Sequence, residues 1–163
     1  MSNQKKIQDK IDKLNKLRES FDAADSKEVG DKVVKSIQKR SRQGKDIEGQ
    51  NFDALNPEYK KQRKKNSRNL DETTTPNKSN VTATGQMLKS MSAEGVKGKI
   101  VINPPSGNRS KELSGSSPRI SNREVARYVQ ENGRRFFGLT DKQKTELTRD
   151  VKNVLLRKLK KTL

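Results

Sequence analysis

The sequence predicts an α+β protein: a small, mostly antiparallel sheet packed against a long C-terminal helix, with an N-terminal helical extension and long mobile loops. Three observations predict it. Apolar residues recur at three- and four-residue spacing near the N-terminus, the segment Lys99–Asn103 reads KIVIN between glycines and prolines, and two helix-capping patterns punctuate residues 121–163. Of 163 residues, 27% are hydrophobic and 36% charged, a supply that fits one compact core and not two. We expect residues 1–25 to form the extension and residues 26–163 a single domain, with loops at about 60–83 and 104–120.

Ile7, Ile11, Leu14, Leu17 and Phe21 place a narrow apolar stripe on a helix over residues 3–21, as the 3.6-residue period requires. A stripe this narrow suits one neighbour, such as another subunit, better than a core. Its near-neutral charge favours an oligomer contact over a membrane surface, which would reward excess lysine. A second helix is expected after Asp25–Ser26, with Val29, Val33, Val34 and Ile37 on one face and Gly44 at its end.

A glycine-punctuated loop then leads through Phe52 and Asn56–Pro57 to Tyr59 and a lysine-rich helical turn. Asp46 and Glu48 lack the further ligands of a calcium loop. Lys60, Lys61, Arg63, Lys64, Lys65 and Arg68 form a basic run without an acid. It reads either as a solvated segment or as a phosphate-facing patch or localisation signal. No aromatic is interleaved after Tyr59, so a nucleic acid would be met through backbone phosphate and not by base stacking.

Residues 71–83 read as a mobile loop. Thr84 is placed to cap a short helix whose Met87, Leu88 and Met91 share a face. Gly95 and Gly98 bracket a turn into the strand Lys99–Asn103, and Pro104–Pro105 stops it. Residues 104–120 read as a long exposed loop, where an intersubunit contact is expected. Ser121 and Glu124 then have capping-box spacing, and Val125, Ala126, Val129 and Tyr128 follow on one side of a helix ended by Asn132–Gly133. Phe136 and Phe137 join it to a last helix capped by Thr140 and Gln143, with Leu147, Val151, Val154, Leu155 and Leu159 as its apolar face. Arg134 and Arg135 either pair with acids across a subunit boundary, the preferred reading, or are solvated.

The chain has no cysteine and no histidine, which removes thiolate chemistry, the usual general base and the commonest transition-metal ligand. No catalytic, cofactor or metal site is expected, and we read the chain as a non-enzyme. No apolar run approaches the roughly 20 residues of a membrane span, and the N-terminus lacks the apolar region of a signal peptide. A soluble protein, made and used in a cytoplasm or in something assembled there, is expected. The formal charge of +18 calls for a polyanionic or strongly acidic neighbour. Residues 1–30 contribute only +1 of it, residues 31–70 +7, residues 71–120 +3 and residues 121–163 +7.

In order, these features resemble the phage virion-morphogenesis family, the small neck and tail-completion proteins that join a capsid portal to a tail. The resemblance rests on Gly49 to Lys60 with its Leu-x-x-x-Tyr-Lys element, and on Thr84 to Ser90 with Met87 and Leu88. It continues through the strand Lys99 to Asn103 and the series Ala126, Gly133, Phe136, Phe137 and Leu139 before an amphipathic helix. It spans roughly residues 30–160 and departs from the family at Gly133–Arg134–Arg135, where many members have Pro-x-Arg. It implies a structural virion protein, a head–tail connector or tail terminator, assembled in the host cytoplasm as a homo-oligomeric ring between portal or adaptor and tail-tube proteins. It also implies that some of Lys60, Lys61, Arg63, Lys64 and Lys65 face genomic DNA in the lumen or an acidic neighbouring ring. Ile7, Ile11, Leu14, Leu17, Arg134 and Arg135 are the residues expected at oligomer or partner interfaces. The alternative is a basic, sequence-independent nucleic-acid-binding protein, for which no groove-reading or aromatic-rich module is evident.

Overall fold

A computed structural model describes residues 3–110, 113 and 120–162. In chain order the elements are α1 (Asn3–Ser20), α2 (Ala23–Arg42), α3 (Pro57–Lys65), a single 3₁₀ turn (Ser67–Asn69), α4 (Gln86–Lys89), β1 (Ser92–Val96), β2 (Lys99–Asn103), α5 (Asn122–Glu131) and α6 (Asp141–Thr162). The class is α+β, and the sheet is an antiparallel hairpin that pairs Ser92 with Asn103 and Val96 with Lys99.

α2 is the helix on which the rest is laid. It begins earlier than the Asp25–Ser26 signal suggested, because Asp22 is the N-cap and closes a reciprocal capping box with Asp25. Val29, Val33, Val34 and Ile37 are buried along one face, at the spacing expected of an amphipathic helix. The helix ends at Arg42, and Gly44 follows at φ +82°.

The hairpin rests on α2, and β1 is a strand where the sequence suggested only a turn. Ser-Ala-Glu-Gly-Val carries one β-branched residue, so its propensity is weak. What makes it a strand is close approach. A Cβ on Gly95 would overlap the carbonyl oxygen of Ala23 and lie 2.8 Å from the amide nitrogen of Lys27, while a Cβ on Gly30 would lie 2.7 Å from Cβ of Ala93. Backbone therefore packs nearly on backbone. The hairpin turn is tied to the start of α2 by Ser26 Oγ donating to Val96 O at 2.9 Å and Gly98 N donating to Phe21 O at 3.1 Å.

Two apolar clusters flank this seam. One joins Val33, Val34 and Ile37 to Phe52, Met87, Leu88, Met91, Ala93, Ala126 and Phe136. The other joins Phe21, Val29 and Val154, with Ile100, Val151 and Leu155 against them, so α6 lies beside α2 and β2 contributes Ile100 to their shared cluster, while the sheet itself packs chiefly on α2. Both C-terminal capping boxes form: Glu124 N donates to Ser121 Oγ at 3.2 Å, and Gln143 N to Thr140 Oγ1 at 3.1 Å. The C-terminal end of α6 is latched to the α1–α2 junction by Lys158, which donates to Ser20 O and Asp22 Oδ2 at 2.7 Å each and pairs with Asp25. The bond from Lys158, followed by the Asp25 amide, holds the Asp22 carboxyl at about 2.

Several expectations fail locally. Thr84 does not cap α4; Gly85 occupies the N-cap at φ +76°, and Thr84 Oγ1 accepts instead from the Gln86 side-chain Nε2 at 3.2 Å. A side chain at position 85 would collide with the Asp71 carboxylate, so the start of α4 is set by this contact. Tyr128 is 67% exposed and Leu159 40%, so neither belongs to the core faces assigned to them. Residues 71–83 are irregular but not loose, since Asn80 and Thr82 are buried and bonded into the body, Asn80 Nδ2 donating to Arg42 O and Thr82 O accepting from Arg63. In the 104–120 loop Pro105 and Leu113 are buried; part of the segment in which an intersubunit contact was expected, residues 111–112 and 114–119, lies outside the described residues.

The seam makes a direct prediction. Gly95→Ala forces a methyl group into the α2 backbone, which has no rotamer with which to yield, and should cost about 3 kcal/mol, the upper end for overpacking. Urea unfolding checks it, and a midpoint unchanged from the parent chain contradicts the seam.

Candidate interaction surface

α3 starts where Asn56 Oδ1 accepts from Glu58 N at 2.8 Å and Pro57 occupies the first helical position, both favoured at a helix N-terminus. Its nine residues carry five basic side chains and one acid. The structure separates those basic residues. Lys61, Lys64 and Lys65 are exposed and Lys60 is half-buried, but Arg63 is wholly buried.

Arg63 is therefore no phosphate or partner contact, and its inclusion in the exposed patch is corrected. Its guanidinium faces the 74–82 loop, donating to Lys78 O at 3.0 Å, Thr74 Oγ1 at 2.7 Å and Thr82 O at 3.1 Å. The Tyr59 ring lies 5.7 Å from the guanidinium carbon, within cation–π range. Burial lowers the affinity of Arg63 for its proton and Tyr59 opposes this; an arginine remains charged in such a site. Leu55, buried just ahead of α3, and the partly exposed Tyr59, which lies against the guanidinium, precede it at four-residue intervals, a weak sequence signal for Arg63.

The interface residues also divide. On α1, Ile7, Ile11 and Leu14 are 58%, 43% and 65% exposed, while Leu17 is half-buried near the junction with α2. The stripe is thus left in water as far as Leu14. Arg135 pairs with Glu48 of the same chain, so an acid within its own protomer already engages it. Arg134 is half-buried and donates to Asp53 O at 3.4 Å. Both arginines close the loop after α2 onto the α5–α6 joint, helped by Ile47 N donating to Arg135 O at 2.9 Å.

The acidic loop residue Asp46 is consumed locally: its Oδ1 accepts from the amides of Glu48 at 2.9 Å and Gln50 at 2.8 Å. Among the described residues no group of three or more acidic, cysteine or histidine side chains is arranged to hold a metal ion, and no helix is long and apolar enough to cross a membrane. An open depression of about 990 Å³ between the end of α2, the 45–49 loop and the start of α6 is lined by Arg40, Lys45, Glu48, Asp141 and Gln143. Its floor is Arg40, which the sequence did not single out. That side chain donates to Gly138 O at 3.0 Å and also to Phe136 O and Gln143 Oε1. Gln143 in turn donates to Ser36 Oγ at 2.7 Å.

Comparison with known protein families, with curated proteins and with solved structures returns no match to this chain.

Two predictions arise from the underside of α3 and the loop it holds. Arg63→Ala leaves the buried Thr82 carbonyl and the part-buried Lys78 carbonyl and Thr74 hydroxyl without their donor and should cost about 2 kcal/mol by urea unfolding, while Arg63→Lys, a single point donor, recovers less than half. Parental stability in Arg63→Ala would show that the loop does not depend on the fork. The second concerns Asp71. Burial raises its pKa, but bonds from Lys89 at 2.7 Å and from the Thr73 hydroxyl and amide outweigh that and lower it from 3.8 to about 2. A carboxylate depressed by folding stabilises above its unfolded pKa, so this contribution is complete above 3.8 and lost as pH falls toward about 2. Urea midpoints taken between about pH 5 and pH 2 should fall less steeply in Asp71→Asn than in the parent; parallel curves would contradict the assignment.

Proposed function

We propose that the chain is a structural virion protein, a neck or tail-completion subunit that assembles into a ring joining the phage head to its tail. The observation that carries this reading is the apolar face of α1. Residues 4–16 are exposed throughout, including Ile7, Ile11 and Leu14, in a chain that has few apolar side chains to spare. A helix that does not spend its stripe on its own core suits an arm laid on a neighbour. In a ring each copy offers two different lateral surfaces, one meeting the copy ahead and one the copy behind. α1 supplies one of them, on the far side of the Lys158 latch from the body.

The resemblance to neck and tail-completion proteins gives this arm its context, since such rings sit between a portal and a tail. The motif residues that carry it, Met87, Leu88, Ala126 and Phe136, lie in one core cluster with Phe137 and Leu139 against it, which supports reading them as elements of one domain. The reading places the protein in the virion and assigns it no catalysis.

Light scattering of the purified chain over a range of concentrations tests the proposal. Masses at multiples of the single chain, reduced to one chain by Ile7→Ser, Ile11→Ser and Leu14→Ser together, are expected. A monomer at every concentration, or an assembly that the triple substitution leaves intact, would overturn it.

A further inference from the structure

We infer that the outer face of α3 is a docking surface for the phosphodiester backbone of a nucleic acid, read without regard to base sequence. The inference stands on α3 alone and holds for a monomer or a ring.

At 3.6 residues per turn, Lys60, Lys64, Lys61 and Lys65 fall within about 140° of arc, and Arg63 points about 130° away from the centre of that arc. The burial pattern matches: Lys61, Lys64 and Lys65 are exposed, Lys60 nearest Arg63 is half-buried, and Arg68 in the following turn is exposed again. Lys61 reaches Glu58 at 3.1 Å, both side chains more than three-quarters exposed, and such a pair contributes little. Among the described residues Lys60, Lys64, Lys65 and Arg68 have no ion pair.

α3 carries five basic side chains in nine residues with a single acid at its start. On α1 the lysines alternate with Asp9, Asp12 and Glu19, and on α6 they alternate with Asp141, Glu146 and Asp150 only in its first half; beyond Asp150 come Lys152, Arg157, Lys158, Lys160 and Lys161 without an acid. Several of the α6 cations are already engaged, Lys144 by Asp141, Arg157 by Glu28 and Lys158 by Asp22. Like charges one turn apart, as in Lys60 and Lys64 or Lys61 and Lys65, repel. The helix bears this because it is fixed from beneath by the Arg63 fork and at its start by Asn56. A polyanion laid on the arc removes the repulsion and releases its own counterions.

The chemistry of the face selects among polyanions. It carries no aliphatic side chain, so it lacks the apolar centre of a protein–protein interface and the inserted residues of a membrane-binding helix. It carries no aromatic ring either: Tyr59 falls on the opposite side of the helix, against Arg63, and the face has no stacking platform. Lys60 and Lys64 stand about 6 Å apart along the axis, a spacing suited to successive points on a phosphate backbone.

Binding of the full-length chain to a short mixed-sequence DNA duplex, followed by fluorescence anisotropy across a salt series, tests the inference. Two variants are compared: Lys60→Gln, Lys61→Gln, Lys64→Gln and Lys65→Gln together, and a matched set of exposed lysines elsewhere, Lys97→Gln, Lys99→Gln, Lys142→Gln and Lys152→Gln. The α3 set should lower the slope of log affinity against log salt by about 3 to 4, near the value for that many phosphate contacts, and the matched set by far less. Protection of the α3 lysines from acetylation in the parent complex gives the same answer without substitution. Equal losses in both sets would mean that only net charge binds, and no loss in the α3 set would remove the site. Tighter binding to vesicles of anionic lipid or to polyglutamate than to the duplex would also overturn the assignment to nucleic acid.

Discussion

The architecture depends on the closeness with which β1 lies on α2. A chain with 27% hydrophobic residues cannot build a thick apolar layer, so helix and hairpin meet through Gly30, Ala93 and Gly95 instead. Dispersion contacts between close backbones replace side-chain bulk. Once the hairpin is seated, Ile100 and Ile102 are half-buried on its inner side and the two clusters can form to either side of the seam. α6 completes the second cluster with Val154 and is tied to the α1–α2 junction by Lys158.

Polar side chains finish what the small core leaves undone. Arg40 and Arg63 are buried without a bonded carboxylate partner. Each donates to the carbonyls of segments that have no secondary structure of their own. A buried cation is costly unless hydrogen-bonded, and the rigid fork of a guanidinium satisfies several acceptors at once where lysine could not. Basic residues thus divide by direction. Those turned inward hold loops, and those turned outward on α3 leave a dense positive face.

Much of this was legible from local pattern. The apolar spacing of α2, the β2 segment KIVIN and the capping boxes at Ser121 and Thr140 are signals within a few residues, and all four elements form. Three others depend on distant parts of the chain. Gly95 looks like a turn residue until α2 is seen to approach it, and Gly85 like a residue behind a Thr84 cap until Asp71 fills the space beside it. Arg63 belongs by composition to a solvent-facing basic run; its register with Leu55 and Tyr59 is only a weak sign against that. For the candidate surfaces the result is mixed: the exposed stripe of α1 follows from its period, whereas the Arg135–Glu48 contact within one chain has no local signature.

On the proposed function, α1 is an arm on an otherwise finished body and finds its partner only in assembly. Amide hydrogen exchange at low and high protein concentration tests it most directly, because it reads α1 and α2 in the same sample. α2 and the hairpin should exchange slowly in both conditions, with α1 fast when dilute and slow when concentrated. Fast exchange throughout α1 at both concentrations, or protection of α1 in the dilute monomer, would contradict it.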